Sequence, residues 1–485
     1  MGNISDLPAR AARRWPDAVG LIDTTAGSDF TWSNLDSLVN GQARRFAAEG
    51  VEPGDRVILR LPTSAGFVIA LFALARAGAI AVPLSPTVPE RELETVREQS
   101  GAKFVVTRNS LGEPEAGEPV EPIGDGEDTA LLAYTSGTTG PVRGVMLSHR
   151  ALLANVEQLG SVQPPPLTEE DRVLIAIPLF HVYGLGPGLL QSVSVGATVV
   201  LAERFQAREA LEITARHRVT VIGGVPAMYT ELAALPEEEV RKGLESVRLL
   251  SSGAAPLHPK ILAAVGEKTG LGVYEGYGLT EAAPVVTSTL VTGHPKPGSV
   301  GRPLPGVEIR LVGPDGVAER VPLDPDDLAD AFDDDGGTGL VAVRGPNLFS
   351  GYWPDGAHGP AEDGWFRTGD VGYIDTDGDL HLVDRANDLI IVNGFNVYPH
   401  EVEKVISEMP GVREAAVVGV IDERSGEAVK AVVVPEPGAA APSAEEVAAH
   451  CARMLAGYKV PKTVEFADSL PHSVTGKLRR VGLRS

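Results

Sequence analysis

The stretch YTSGTTGPVRG, Tyr134 to Gly144, places three glycines and four Ser/Thr hydroxyls in eleven positions at the end of the apolar run TALLAY. A loop with many donors and little bulk suits either a tight turn or a wrap of N–H and hydroxyl groups around an oxygen-rich ligand such as a polyphosphate. It is not a P-loop, because G-x-x-x-x-G-K-[ST] cannot be laid on SGTTGPVRG. Four further stretches follow in order: EGYGLTEAAP (275–284), GWFRTGD (364–370), VDRANDLIIVNGFNVYPHEVE (383–403) and PHSVTGKLRR (471–480). Taken singly, each key residue has a plain reading. Glu281 is a loop carboxylate, Asp370 a turn residue after Gly369, and Lys477 a solvated charge on a basic terminus.

The elements that must position these residues are legible as alternation. Up to about Leu290, strand-like runs (RVILRLP, KFVVT, TALLAYTS, RVLIAIPL, ATVVLA, VTVIGGV, VRLLSSG) alternate with helical patterns such as ERELETVREQS and REALEITARHR. That order predicts parallel sheets covered by helices, with ligands at the Gly/Ser/Pro loops that end the strands. From Val300 to Asp384 the helices fade, and EIRLV, GLVAVRG and GDLHLVD read as a small β subdomain. Beyond it a compact α+β pattern holds two strands, VREAAVVGVID and AVKAVVVPE, and two helices, HEVEKVISEM and SAEEVAAHCARML. Ser443 and Glu446 form a capping box for the second of these helices. The fold class expected is α/β: a large N-terminal domain (1–384) of stacked helix-covered sheets with a β subdomain at about 300–384, a hinge at 385–388, and a small mobile C-terminal domain (389–485).

With 485 residues the chain is long enough for two or three domains, and its net charge of −23 argues against a nucleic-acid partner. The single Cys451 excludes a disulfide framework and a Cys-based zinc site, and its amphipathic context reads as a small residue on a helix face. The N-terminus has no apolar export region, and Asp6 breaks the myristoylation pattern. The apolar stretch from Ser64 to Leu84 has the length of a membrane span, but Arg76, Gly78 and Pro83 interrupt it. It reads as a buried helix ending near Ala77, a glycine stop at Gly78, and a short buried strand. A soluble, cytoplasmic protein without stable membrane insertion is expected. The acidic stretch from Asp375 lacks the glycine and glutamate of a calcium loop and reads as a hairpin turn around Asp377–Gly378. The one from Asp324 reads as a solvated loop.

Together the five stretches resemble the adenylate-forming superfamily: acyl-CoA synthetases, firefly-type luciferases and the adenylation domains of peptide synthetases. The resemblance runs from FTWSNLDSL to the final lysine and is closest in pattern to acyl-CoA ligases. It implies attack of a carboxylate on the α-phosphate of ATP, departure of pyrophosphate, and transfer of the acyl group from AMP to coenzyme A. Charge moves onto the phosphates in both steps, so aimed cations and donors matter more than a protein nucleophile.

Carried over by residue, Thr135, Ser136, Gly137, Thr138, Thr139 and Gly140 would hold the β- and γ-phosphates. Thr280 would reach the α-phosphate and Glu281 a Mg2+ ion. Gly253, Ala254 and Ala255, with Tyr277 and Gly278, would form the adenine slot. Asp370 would accept from the ribose hydroxyls near Arg385. Lys477 matches the lysine that bridges carboxylate and α-phosphate, a contact worth roughly 3 to 5 kcal/mol. The resemblance also implies rotation of the C-terminal domain into a second pose in which Gly394 lines a pantetheine tunnel, although a plain turn is an equal reading of that glycine.

Two positions depart from the pattern. Arg143 stands where the phosphate loop has lysine, which keeps the charge and alters its geometry. The hinge residue, commonly Lys or Asp, is Asn387, which tolerates unusual backbone angles. His181 follows Phe180 where amino-acid-activating domains place an aspartate, so an amino acid is disfavoured. In acyl-CoA synthetases this histidine borders the acid pocket. The remaining pocket segments, GLGPGLL, GGVPAMY and EAAPVV, offer no second cation, which favours a hydrophobic monocarboxylic acid: fatty, aryl or bulky. An acyl-CoA ligase leads. An enzyme passing its adenylate to a carrier protein or partner enzyme, and a non-catalytic adenylate-binding regulator, are the alternatives.

Overall fold

Runs of four to seven branched apolar residues closed by Gly, Pro or Asp are too short for stable helices, and they form the inner strands of two sheets. The computed structural model describes every residue except 1, 114, 136–142, 314–336, 386–387, 393–394, 423–425, 473–477 and 484–485. For Thr135, Arg385, Phe395, Asn396 and Val481 it describes the backbone alone. The described residues within 1–137, 141–308 and 344–366 pack as one unit, and those within 309–343 and 367–485 as another. This division groups most of the β stretch with the C-terminal residues.

The first unit holds two sheets. The nine-stranded sheet runs in the order Arg302–Pro303, Val285–Ser288, Val273–Gly278, Leu249–Ser252, Val221–Gly224, Arg172–Ile175, Thr198–Leu201, Val19–Asp23, Ser28–Thr31. Its six inner strands, Val273–Gly278 to Val19–Asp23, are parallel, and the edges at both ends turn antiparallel. The five-stranded sheet runs Phe104–Thr107, Arg56–Arg60, Ile80–Pro83, Thr129–Thr135, Arg143–Ser148, parallel except for the last pair. Strands of both sheets share one hydrophobic core with the helix Ala65–Arg76.

That helix is the apolar stretch with membrane-span length. It ends at Arg76, and Gly78 turns the chain at φ 72° into the buried strand Ile80–Pro83, as its sequence predicts. Phe67 and Phe72 are fully buried, so truncating either to alanine would cost about 3–5 kcal/mol. Arg76 is 2% exposed, and its two terminal nitrogens donate to Asn40 Oδ1 (2.6 Å), Asp36 Oδ1 (2.8 Å) and the Ser5 carbonyl (2.8 Å), while its Nε has no partner among the described residues. Among the described residues no helix is long and apolar enough to cross a membrane.

In the second unit a four-stranded sheet orders Glu308–Val312, Gly339–Arg344, Trp365–Ile374 and Leu380–Arg385. A five-stranded sheet is built on the long hairpin Val412–Asp422 with Gly426–Pro435. The helices Pro399–Ser407 and Ala444–Met454 share its core, where Cys451 is fully buried among Val447, Val402 and Ile406. Ser443 and Glu446 make the capping box reciprocally, at 3.2 and 2.7 Å. The architecture is the expected α/β one: a large N-terminal part of sheets and helices, a small β sheet, and a smaller α+β C-terminal part.

Candidate active site

The opening stretch is the connection of a hairpin. Thr129–Thr135 pairs antiparallel with Arg143–Ser148, in register to Tyr134↔Gly144 and Thr135↔Arg143, so the loop 136–142 leaves and re-enters at one point of the sheet edge. Ser136, Gly137, Thr138, Thr139 and Gly140 lie outside the described residues. A Cβ at Gly144 would press on the Leu132 side chain at 2.9 Å and the Tyr134 ring at 3.2 Å.

The parallel strands Val221–Gly224, Leu249–Ser252 and Val273–Gly278 end side by side, the place where open α/β sheets hold ligands. The loop after Ser252 carries buried Gly253, exposed Ala254 and partly exposed Ala255, with Ala254 at φ 70°, a conformation unusual for a residue with a Cβ. One buried carboxylate fastens this loop: Glu275 accepts from the Leu257 N–H at 3.2 Å. Burial pushes the Glu275 carboxyl up to about 7, against the lowering effect of that hydrogen bond. Tyr277 is buried at the strand end, and Gly278 is obligatory because a Cβ would lie 2.3 Å from the Pro284 carbonyl oxygen.

Tyr183 lies against two of the strand ends: a Cβ on Gly253 would lie 3.2 Å from its ring and one on Gly223 3.7 Å from its hydroxyl. Separately, a Cβ on Gly186 would lie 2.7 Å from the Pro284 ring. Burial pushes the Tyr183 phenol up to about 12, although Ser251 hydrogen-bonds to it. His181 is partly exposed. Its Nδ1 accepts from the Tyr183 N–H at 3.2 Å, which puts the proton of the neutral ring on Nε2.

Thr280 and Glu281 open a single 3-10 turn, Thr280–Ala282, and both are partly exposed. Glu281 Oε1 accepts a hydrogen bond from the Tyr352 hydroxyl at 2.7 Å. The Arg143 guanidinium lies 5.4 Å from the centre of the same tyrosine ring. Burial and the adjacent Glu281 charge hold the Tyr352 phenol well above its usual range. Arg143 and Glu281, far apart in sequence, thus meet around Tyr352. Tyr352 and Glu275 are residues the sequence reading missed. The only local signal for Tyr352 is the preceding Gly351.

In the second unit, Asp370 is buried opposite Arg385 in the register of two antiparallel strands. Lys477, Asn387 and Gly394 lie outside the described residues. The chain on either side of 473–477 is closed like a neck, with a bridge between His472 and Leu478 and the Arg479 N–H donating to the Pro471 carbonyl at 2.8 Å. Arg480 then grips both oxygens of Glu403 (2.8 and 2.9 Å) and approaches Asp388 at 3.4 Å. The carboxylates of Asp375, Asp377 and Asp379 come within 4.8 Å of one another. Asp375 Oδ1 accepts the N–H groups of Asp377 and Asp379, and its Oδ2 contacts His381 Nε2 at 2.7 Å, the bonding of a turn.

The family model described as AMP-binding enzyme matches residues 8–122 and 108–353, and that of the AMP-binding enzyme C-terminal domain matches 401–477. A feruloyl-CoA synthase from an Amycolatopsis species is 38% identical, covering 99% of this chain and 98% of its own length. A long-chain-fatty-acid–CoA ligase of Yersinia pestis is 33% identical over 99% of this chain and 94% of its own. The ATP-bound MatB protein of Rhodopseudomonas palustris shares the fold with a TM-score of 0.89 at 30% identity, over 100% of this chain and 98% of that one. The chain belongs to the AMP-binding enzyme family, within the adenylate-forming superfamily that its motifs resemble. It is an enzyme of the AMP-forming acid–thiol ligase class.

Proposed function

We propose that the protein converts a hydrophobic monocarboxylic acid, aryl or fatty, into its coenzyme A thioester with ATP and Mg2+, in the cytoplasm. The observation that carries this reading is the meeting of Arg143, at the foot of the 136–142 loop, with Glu281 around one tyrosine, beside three parallel strand ends. Among the described residues Glu281 Oε2 accepts no hydrogen bond, so a hard-cation ligand is available there. Bound Mg2+ would neutralise charge on the phosphates.

The protein's own residues then have separable roles. Thr135 to Gly140 and Arg143 cradle the β- and γ-phosphates, Thr280 donates to the α-phosphate, and the loop Gly253–Ala255 with Tyr277 and Gly278 receives the adenine. Asp370 accepts from the ribose hydroxyls, with Arg385 beside it. Lys477 bridges the acid's carboxylate to the α-phosphate. A carboxylate oxygen attacks the α-phosphorus as the bond to pyrophosphate breaks. Rotation about a hinge at 385–388, with Asn387 at its centre, separates the N-terminal domain (1–384) from the C-terminal one (389–485) in motion. It brings Gly394 to the pantetheine arm, whose thiol attacks the acyl carbon as AMP leaves.

The apolar, glycine-rich surroundings of Tyr183 and the absence of an aspartate after Phe180 support an apolar acid, with His181 at its border. The feruloyl and long-chain-acyl relatives bracket the same class. Incubating the protein with ATP, Mg2+, coenzyme A and a panel of acids tests the reading. AMP and thioester should form with cinnamate-type or fatty acids. Turnover confined to amino acids or dicarboxylates would refute the substrate class. Adenylate without thioester would point to a carrier protein as acceptor.

A further inference from the structure

We infer that Tyr352 is a positioning residue for the reaction, its phenol holding the Glu281 carboxylate by Oε1 and leaving Oε2 open to a divalent cation. The inference rests on the reading of Glu281 as the metal-binding carboxylate.

The backbone around Tyr352 is built to place it there. Ser350 donates its N–H to the Met146 carbonyl (2.9 Å), Met146 donates to Gly351 (3.1 Å) and Trp353 to Gly144 (2.8 Å), with Tyr352 bridged to Val145. The segment is therefore bridged along the returning arm, Arg143–Ser148, of the hairpin. Just upstream, the Phe349 N–H donates to the Glu281 carbonyl (2.8 Å) and Asn347 Nδ2 to the Ala282 carbonyl (2.8 Å). One short stretch thus ties the hairpin arm to the turn that carries Glu281. Gly351 permits this course: its φ is 110°, and a Cβ would lie 2.0 Å from the Gly356 carbonyl oxygen.

The ring is fixed as well as the backbone. Phe349 packs edge-on against it at 5.1 Å, and Arg143 lies over it at 5.4 Å. A carboxylate with one oxygen tied to a fixed phenol keeps its other oxygen open to a cation and spends less time in rotamers that turn away from it. Groups that orient a metal-binding carboxylate in this way typically change metal affinity or activity 10- to 100-fold when removed.

The test is the Mg2+ requirement for ATP binding, measured by calorimetry with the full chain. Tyr352→Phe removes the hydroxyl and keeps the ring against Phe349 and Arg143. The Mg2+ concentration giving half-maximal ATP binding should rise about 10- to 100-fold, with the melting temperature essentially unchanged. In a Glu281→Gln background the same substitution should add no further shift. A wild-type Mg2+ requirement in Tyr352→Phe, or an equal shift without Glu281, would overturn the inference and leave Glu281 as metal ligand intact. ATP binding by the unaltered protein that ignores Mg2+ would overturn both.

Discussion

Glu281 and Glu403 are both tied down by the fold, in opposite fashion. Glu403 is buried and both its oxygens are held: Oε1 accepts from the Val417 N–H (2.8 Å) and from Arg480 (2.8 Å), and Oε2 from Arg480 (2.9 Å). Burial alone would raise its pKa, but His400 and Arg480 outweigh burial and hold the carboxyl below its ordinary value. Glu281 is partly exposed and has one phenol on one oxygen. A buried carboxylate with both oxygens held by the protein fastens structure, whereas one with an oxygen left open is available to a ligand. Glu275 stands between the two, buried and holding a single backbone N–H.

Substitutions at the three glutamates should separate these roles. The largest effect expected is on chemistry: Glu281→Gln should lower acid-dependent ATP–pyrophosphate exchange about 100-fold or more while its melting curve stays close to that of the unaltered protein. A stability loss matching the activity loss would put Glu281 in the same class as Glu403. Glu403→Gln should behave conversely, costing about 3–5 kcal/mol in denaturant unfolding because Arg480 loses its buried partner.

Glu275 gives a pH-dependent case. Its folded carboxyl titrates near 7 against an ordinary 4.5, so the neutral form is favoured by folding. Its contribution is fully present below about pH 4.5 and is lost as pH rises through 7. Glu275→Gln cannot ionise, so its stability relative to the unaltered protein should climb across that window and level off about 3 kcal/mol higher above pH 7. A flat difference from pH 4.5 to 8 would contradict the assignment. The smallest effect is expected at Glu239, paired with Arg208 on the surface. Glu239→Gln should leave both the melting temperature and exchange unchanged within error.

Much of this was legible in sequence where the determinants are local. The strands Arg56–Arg60, Leu249–Ser252 and Val412–Asp422 announce themselves as branched apolar runs, and Gly78 and the Ser443 capping box punctuate their helices. GLGPGLL, read as a small-residue pocket segment, takes a π-helical conformation with Pro187 inside it that local propensity disfavours and no sequence pattern announces. Tyr352 escaped notice because its meaning comes from pairing with Val145, about two hundred residues earlier, which no motif in SGYWPDG encodes. Glu275 was hidden inside EGYGLTE, where Thr280 and Glu281 carry the resemblance and only burial reveals the strut.

In the proposed function the ammonium of Lys477 would let an inert carboxylate attack a bound nucleotide. Isotopic exchange of pyrophosphate into ATP, driven by an apolar acid, measures that step alone. Lys477→Ala should lose the exchange by a factor of roughly 100 to 1000 while still binding ATP with near-normal affinity. Exchange at the unaltered rate in this variant would contradict the claim.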